Sequence, residues 1–240
     1  CIRDRSGGMV GGSICRELLK NDYGKKEYGG ELLIPQRNEL NLLDERSVNI
    51  WFKKQTPSIV ICAAAKVGGI YANSTKPANF LIENLKIQNN LIYGAFKNNV
   101  KRLLFLGSSC IYPKYAKQPI KEEYLLDGQL EDTNQWYALA KIAGIKLCES
   151  LKIQYNFDAI SLMPTNLYGP GDNYHPLNSH VMAALIKKFH DAVSNGDDTV
   201  TCWGTGKVLR EFLHVDDLSK AVLYCLENWD CLLYTSPSPR

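Results

Sequence analysis

Three short apolar runs constrain the fold of this chain more than any other feature: residues 58–63 (SIVICA), 102–106 (RLLFL) and 158–163 (DAISLM). The first is apolar and β-rich throughout, the pattern of a parallel strand buried on both faces. The other two read as further strands. Helical patterns separate them. Residues 80–98 place Leu81, Leu85, Ile92 and Phe96 among the apolar positions of one long amphipathic helix. Residues 134–155 read as a second long helix, and 47–54, the stretch from His180 to His190 and the region after Asp217 as further ones. Short strands are also expected at 31–34 and 199–202. Alternating strands and helices, with no internal repeat and no long linker, predict an α/β fold built on a doubly wound, mostly parallel sheet.

Composition narrows the function. The net charge of +3 and pI near 8.3 give no electrostatic footprint for nucleic acid. No apolar run approaches the roughly 18–20 residues that cross a bilayer, so no membrane partner is expected. The eight cysteines show neither C-x-x-C pairs nor zinc-like spacing, and the four histidines do not cluster. We therefore expect reduced thiols, a cytoplasmic protein and no metal site. Both ends depart from the pattern of the rest, and residues 1–5 and 231–240 are expected to be non-native.

The chemistry sits at strand ends and on one helix. Residues 6–12 (SGGMVGG) precede a helical pattern, which suits a phosphate-binding turn or an ordinary glycine-rich loop. Gly8 and Gly11 would be the second and third glycines of a dinucleotide fingerprint, with Arg5 in place of the first. Arg37 follows the 31–34 strand. An arginine there accommodates a 2′-phosphate and favours NADP over NAD; a solvated surface arginine reads equally well. Small residues at 63–69 (AAAKVGG) would let a ligand approach the end of the 58–63 strand. The 102–106 strand runs into Gly107, Ser108, Ser109, Cys110, Ile111, Tyr112 and Pro113. Ser108 can hydrogen-bond a substrate carbonyl. Cys110 is either a base or a buried filler. Tyr137 and Lys141 lie one helical turn apart, an acid–base pair or a buried tyrosine near a solvated lysine.

Taken together, the Tyr137/Lys141 pair, the strand-end Ser108 and the glycine-rich turn resemble the extended short-chain dehydrogenase/reductases. Blocks at 8–11, 39–44, 63–70, 103–114, 140–150, 163–170, 172–181 and 210–217 resemble the members that epimerise and reduce a GDP-4-keto-6-deoxy sugar. The resemblance implies a Rossmann-type NADP(H)-binding domain over 6–165, without its first strand, and part of a smaller, truncated substrate lobe over 166–230. It implies Cys110 as epimerisation base and His180 as acid, with Ser108, Tyr137 and Lys141 as reductase residues. It places Gly8, Met9, Val10, Gly11, Arg37, Asn41, Leu42, Leu106, Gly107, Ser108, Ser109, Lys141, Pro164, Thr165, Asn166, Leu167 and His180 at the cofactor. Lys188, Trp203 and Arg210 would hold the GDP-sugar. Lys141 is expected to lower the Tyr137 pKa. A homodimer through the helices near 80–98 and 135–153 is also implied. His214 is read as structural.

The missing first strand and first glycine bear on pyrophosphate binding. The resemblance further implies that relatives continue well past Asp230, so that the chain encodes the activity without performing it well. Two other readings stand beside the leading one. A sibling 4-epimerase or 4,6-dehydratase on another nucleotide-sugar needs the Tyr/Lys pair but not Cys110 and His180 together. A non-catalytic dinucleotide-binding regulator has no reason to keep Ser108, Tyr137 and Lys141.

Overall fold

The computed structural model describes residues 8–175, 178–202 and 204–229. The segments 1–5 and 231–240, and Trp203, lie outside the described residues. Helices α1 (Met9–Lys20) and α2 (Glu45–Gln55) precede β1 (Ile59–Cys62); α3 (Ile70–Thr75) and α4 (Pro77–Lys97) lead to β2 (Arg102–Leu106). Then come α5 (Gln135–Tyr155), β3 (Ala159–Leu162), β4 (Asn166–Tyr168), α6 (Val181–Asn195), β5 (Phe212–His214) and α7 (Val215–Asn228).

The three apolar runs form one parallel sheet in the order β1-β2-β3, with Val60 opposite Leu103 and Leu104 opposite Ile160. Alternate residues of each strand point to opposite faces, so both faces need cover. Val60, Cys62, Leu103 and Phe105 face a core completed by α2, α4 and α5 residues such as Phe52, Leu91, Ile92 and Ile145. Ile61, Leu104, Leu106, Ile160 and Leu162 face a second core with Ile14 and Leu18 of α1 and Leu218 and Val222 of α7. Helices on both faces are what the doubly wound reading requires.

Helix ends follow local chemistry. Asp44 caps α2 by accepting the Arg46 N–H, and α4 opens on Pro77, which has no N–H to satisfy. Helix α5 stops where Asn156 turns left-handed at φ 54°.

Three expectations are corrected. Residues 31–34 and 199–202 form no strand; a strand needs a neighbouring ladder, and no described strand lies beside either segment. Conversely, β4 and β5 pair in parallel, Leu167 against Leu213, where no strand is expected. Of the glycine-rich stretch, residues 9–12 are helical, since α1 starts at Met9 and takes in Gly11 and Gly12.

Candidate active site

The site lies at the C-terminal ends of β2 and β3. Gly107 N–H donates to the Leu162 carbonyl at 2.7 Å, and Ser109 N–H to the Pro164 carbonyl at 3.0 Å. These bonds set 106–109 beside 162–164, the two strand ends assigned to the cofactor. Ser108 caps a short 3₁₀ turn, Ser109–Ile111, its hydroxyl oxygen accepting the Cys110 N–H at 3.4 Å. One turn thus carries both the hydroxyl and the thiol.

Helix α5 supplies the other half. Lys141 is buried at 4% exposure. Its Nζ donates to the Leu106 carbonyl at 2.6 Å, and lies 4.7 Å from the Phe105 ring centroid and 5.7 Å from that of Tyr137. Ser108, Cys110, Tyr137 and Lys141 form one cluster.

Burial sets the protonation states. The Tyr137 hydroxyl is pushed well above its ordinary value by desolvation, with the nearby Cys110 adding to the shift. Lys141 does not lower it as expected: burial governs the shift, and the Lys141 ammonium is turned to the Leu106 carbonyl. The Lys141 ammonium is itself held below its ordinary value by burial, an effect opposed by Cys62 and Cys110. The Cys110 thiol is pushed up by burial, while hydrogen bonding from Ser108 and the Lys141 charge pull it down. Tyr137 is therefore a protonated donor at neutral pH, and Cys110 a thiol whose ionised form those two groups favour.

The cofactor-assigned residues fit a dinucleotide on two observations. Gly8, the N-cap residue of α1, gives no side-chain cap, leaving the helix's N-terminal dipole for an anion. Thr165 Oγ1 is buried without a partner at the β3 end, an acceptor or donor waiting for one. Asn166 and Leu167 follow in β4. Arg37 is exposed in a turn, close enough to Glu83 to help hold its carboxyl below the usual range, after Lys66 and Asn79. Asn41 N–H donates to Ser47 Oγ at 3.3 Å, and buried Leu42 receives Asn90 at its carbonyl at 2.8 Å.

The remaining residues come from separate elements. His180 is the exposed N-cap residue of α6. Lys188 Nζ donates to the Thr201 carbonyl at 3.0 Å, and Arg210 is exposed. His214, read as structural, caps α7 by accepting the Asp216 N–H on Nδ1 at 3.3 Å and packs edge-on against Tyr168.

Sequence reasoning missed two features. The Leu106 carbonyl, which anchors Lys141, is a backbone group with no side-chain signature. Asp172 is pushed up by burial, while the Asn173 N–H and then the His180 charge pull it the other way, so a carboxyl lies within electrostatic reach of that imidazole. Among the described residues, no group of three or more His, Cys, Asp or Glu could hold a metal ion, and no helix is long and apolar enough to cross a membrane.

The family model for the NAD dependent epimerase/dehydratase family matches residues 6–231. The chain belongs to that family. It is 53% identical over 225 residues to GDP-L-fucose synthase 1 of Arabidopsis thaliana, covering 94% of this chain and 68% of the relative. It is also 53% identical over 220 residues to GDP-L-fucose synthase of Escherichia coli, covering 92% of this chain and 67% of that relative. Among solved structures, a GDP-D-glycero-L-gluco-heptose synthase of Campylobacter jejuni, determined in the presence of NADPH, superposes with a TM-score of 0.84 at 37% identity. That match covers 95% of this chain and 74% of the other. The family member described here thus spans about two-thirds of the length of its curated relatives.

Proposed function

We propose that this chain carries an NADPH-dependent enzyme that epimerises carbons 3 and 5 of GDP-4-keto-6-deoxy-D-mannose and reduces carbon 4, giving GDP-L-fucose. The observation that carries the reading is the thiol of Cys110 in one cluster with Ser108, Tyr137 and Lys141. Reduction alone needs no thiol there.

The hydrogens at carbons 3 and 5 are acidic because the carbon 4 carbonyl accepts the electron pair as an enolate. Cys110 takes such a proton as thiolate, and the pair moves to the carbonyl oxygen. Ser108 and Tyr137 hydroxyls stabilise that oxygen. His180 returns a proton on the opposite face, inverting the centre. After both inversions Tyr137 protonates the carbon 4 oxygen as that carbon is reduced; its raised pKa keeps this proton on the hydroxyl until then. Bound NADPH would supply the hydride. Gly8 to Gly11 would hold its pyrophosphate and Arg37 its 2′-phosphate, with Asn41 and Leu42 near the adenosine, and Leu106 to Ser109, Pro164 to Leu167, Lys141 and His180 at the nicotinamide end. Lys188 and Arg210 offer cations to the GDP diphosphate.

Two further parts of the reading have separate support. The outer faces of α4 and α5 expose Ile82, Tyr93, Trp136, Leu139 and Ile153, as a homodimer through these helices requires. Cys15, Cys62, Cys110, Cys148 and Cys202 are free, as suits the cytoplasm.

The test is incubation of the purified protein, extended to the length of its relatives, with GDP-4-keto-6-deoxy-D-mannose and NADPH. Oxidation of NADPH with a product inverted at carbons 3 and 5 supports the proposal. Reduction to an uninverted sugar would instead indicate a simple 4-reductase, and no oxidation would remove both.

A further inference from the structure

The strand-end block at 66–69 has no part in the chemistry above, yet it is held with unusual completeness. Lys66 N–H donates to Asn84 Oδ1 at 2.8 Å, and Asn84 Nδ2 donates back to the Lys66 carbonyl at 3.0 Å. Lys66 Nζ pairs with Glu83 at 2.5 Å. Asn73 Nδ2 donates to the carbonyls of Gly68 at 2.8 Å and Gly69 at 3.1 Å. Asn84 and Asn73 are buried at 2% and 5% exposure. These bonds fasten the block to α3 and α4.

Against this platform rests the segment that ends in His180. Gly69 N–H donates to the Asn178 carbonyl at 3.2 Å. A Cβ on Gly69 would lie 2.6 Å from the Ser179 carbonyl oxygen. The Gly69 backbone, at φ −66° and ψ −179°, is one that any residue adopts. Its lack of a side chain therefore serves the close approach of one backbone to another. The approach is kept although it leaves Ser179 Oγ buried without a partner.

We infer that Gly69 is a positioning residue for His180, setting the imidazole by allowing the 178–180 backbone to seat directly on the platform. The inference rests on the role of His180 proposed above. A methyl at position 69 must move something, and a carbonyl cannot swing aside as a side-chain end can. The platform is fixed by buried asparagines, so the displacement falls on 178–180. Reaching ordinary contact from 2.6 Å requires about 0.8 Å. His180 is the next residue, so the shift passes to the imidazole. Misplacement of a catalytic group on this scale costs roughly 10- to 100-fold in rate.

The distinguishing readout comes from separating two fates of the same enolate. Cys110 alone can return a solvent proton to the face it came from, giving exchange with retention. Inversion needs His180. In deuterium oxide with GDP-4-keto-6-deoxy-D-mannose and no NADPH, we expect Gly69→Ala to exchange within about threefold of the parent. Its inversion should fall roughly 10- to 100-fold. Equal slowing of both, or no change in their ratio, overturns the inference. If Gly69→Ala does not fold, Ser179→Gly, which frees the 178–180 backbone, must show the same skew. Absence of any exchange in the parent protein would count against the proposed chemistry itself rather than against the role of Gly69.

Discussion

Gly144→Ala is the perturbation whose outcome the packing determines most sharply. Gly144 lies inside α5, where that helix rests on β2 and α4. An added Cβ would stand 2.7 Å from Phe105 Cζ, 2.9 Å from Phe105 Cε1 and 3.0 Å from the Gln88 amide carbon. Two terms favour the substitution: helix propensity, about 1 kcal/mol, and one buried methyl, about 0.8 kcal/mol. Two oppose it. Overpacking a filled core costs about 1–3 kcal/mol. Displacing Gln88, whose Nε2 donates to the Ala140 carbonyl, leaves a buried amide unpaired at about 1–3 kcal/mol. Phe105 is fully buried in the middle strand and has nowhere to go. The opposing terms win by about 0.2–4 kcal/mol, centred near 2 kcal/mol, and at that centre Tm should fall by roughly 4–8 °C for a chain of this size. Turnover should suffer more, because lifting α5 draws Lys141 from the Leu106 carbonyl and Tyr137 from Cys110; about 10- to 100-fold is expected. Thermal melting and NADPH oxidation measure the two effects. Adding Phe105→Leu should restore part of the lost Tm, since the two residues share one contact. A Gly144→Ala protein that melts at or above the parent with unchanged turnover would refute the reasoning.

Other outcomes follow from the same geometry. Lys141→Met keeps the apolar stem against Phe105 and removes a charge that burial disfavours. It should fold, while carbonyl reduction drops about 10²- to 10⁴-fold; turnover within threefold of the parent would exclude a role for the ammonium. Alkaline stability should fall early. Burial pushes Cys62 up to about 11 and Cys148 up to about 12 from 9.0. Both folded values exceed the unfolded one, so this stability is fully present below pH 9 and is lost as pH rises through 11 and 12. Cys62 alone accounts for about 3 kcal/mol at the end of that window. Denaturant titrations at pH 8 to 11 should show the decline, and Cys62→Ala should flatten it; parallel profiles would contradict the assignment.

What could be seen in the sequence follows from what each feature depends on. The runs at β1, β2 and β3 are apolar but for Arg102 and Ser161, so their burial on two faces shows without knowledge of neighbours. Strands β4 and β5 are three residues each, partly exposed, and their ladder joins Asn166 to Phe212 across 46 positions of chain; no local pattern carries that. The stretch 31–34 is apolar enough for a strand, but strand identity lies in the partner. In the site, the spacing of Tyr137 and Lys141 and the Ser108–Cys110 turn were legible because each is local. The direction of the Tyr137 shift was not. A lysine one turn away predicts a lowered pKa, whereas burial, a property of the folded chain, raises it. The small residues at 63–69 were visible at a strand end, but only the fold shows that Gly69 meets the backbone beside His180.

The central claim is that one cluster performs two separable proton chemistries, with Cys110 serving inversion and Tyr137 serving reduction. It is tested most directly by following deuterium entry at carbons 3 and 5 and NADPH oxidation side by side in Cys110→Ser and Tyr137→Phe proteins. The account predicts that Cys110→Ser abolishes deuterium entry, while Tyr137→Phe retains measurable entry and loses most of the NADPH oxidation. Undiminished deuterium entry in Cys110→Ser would contradict it.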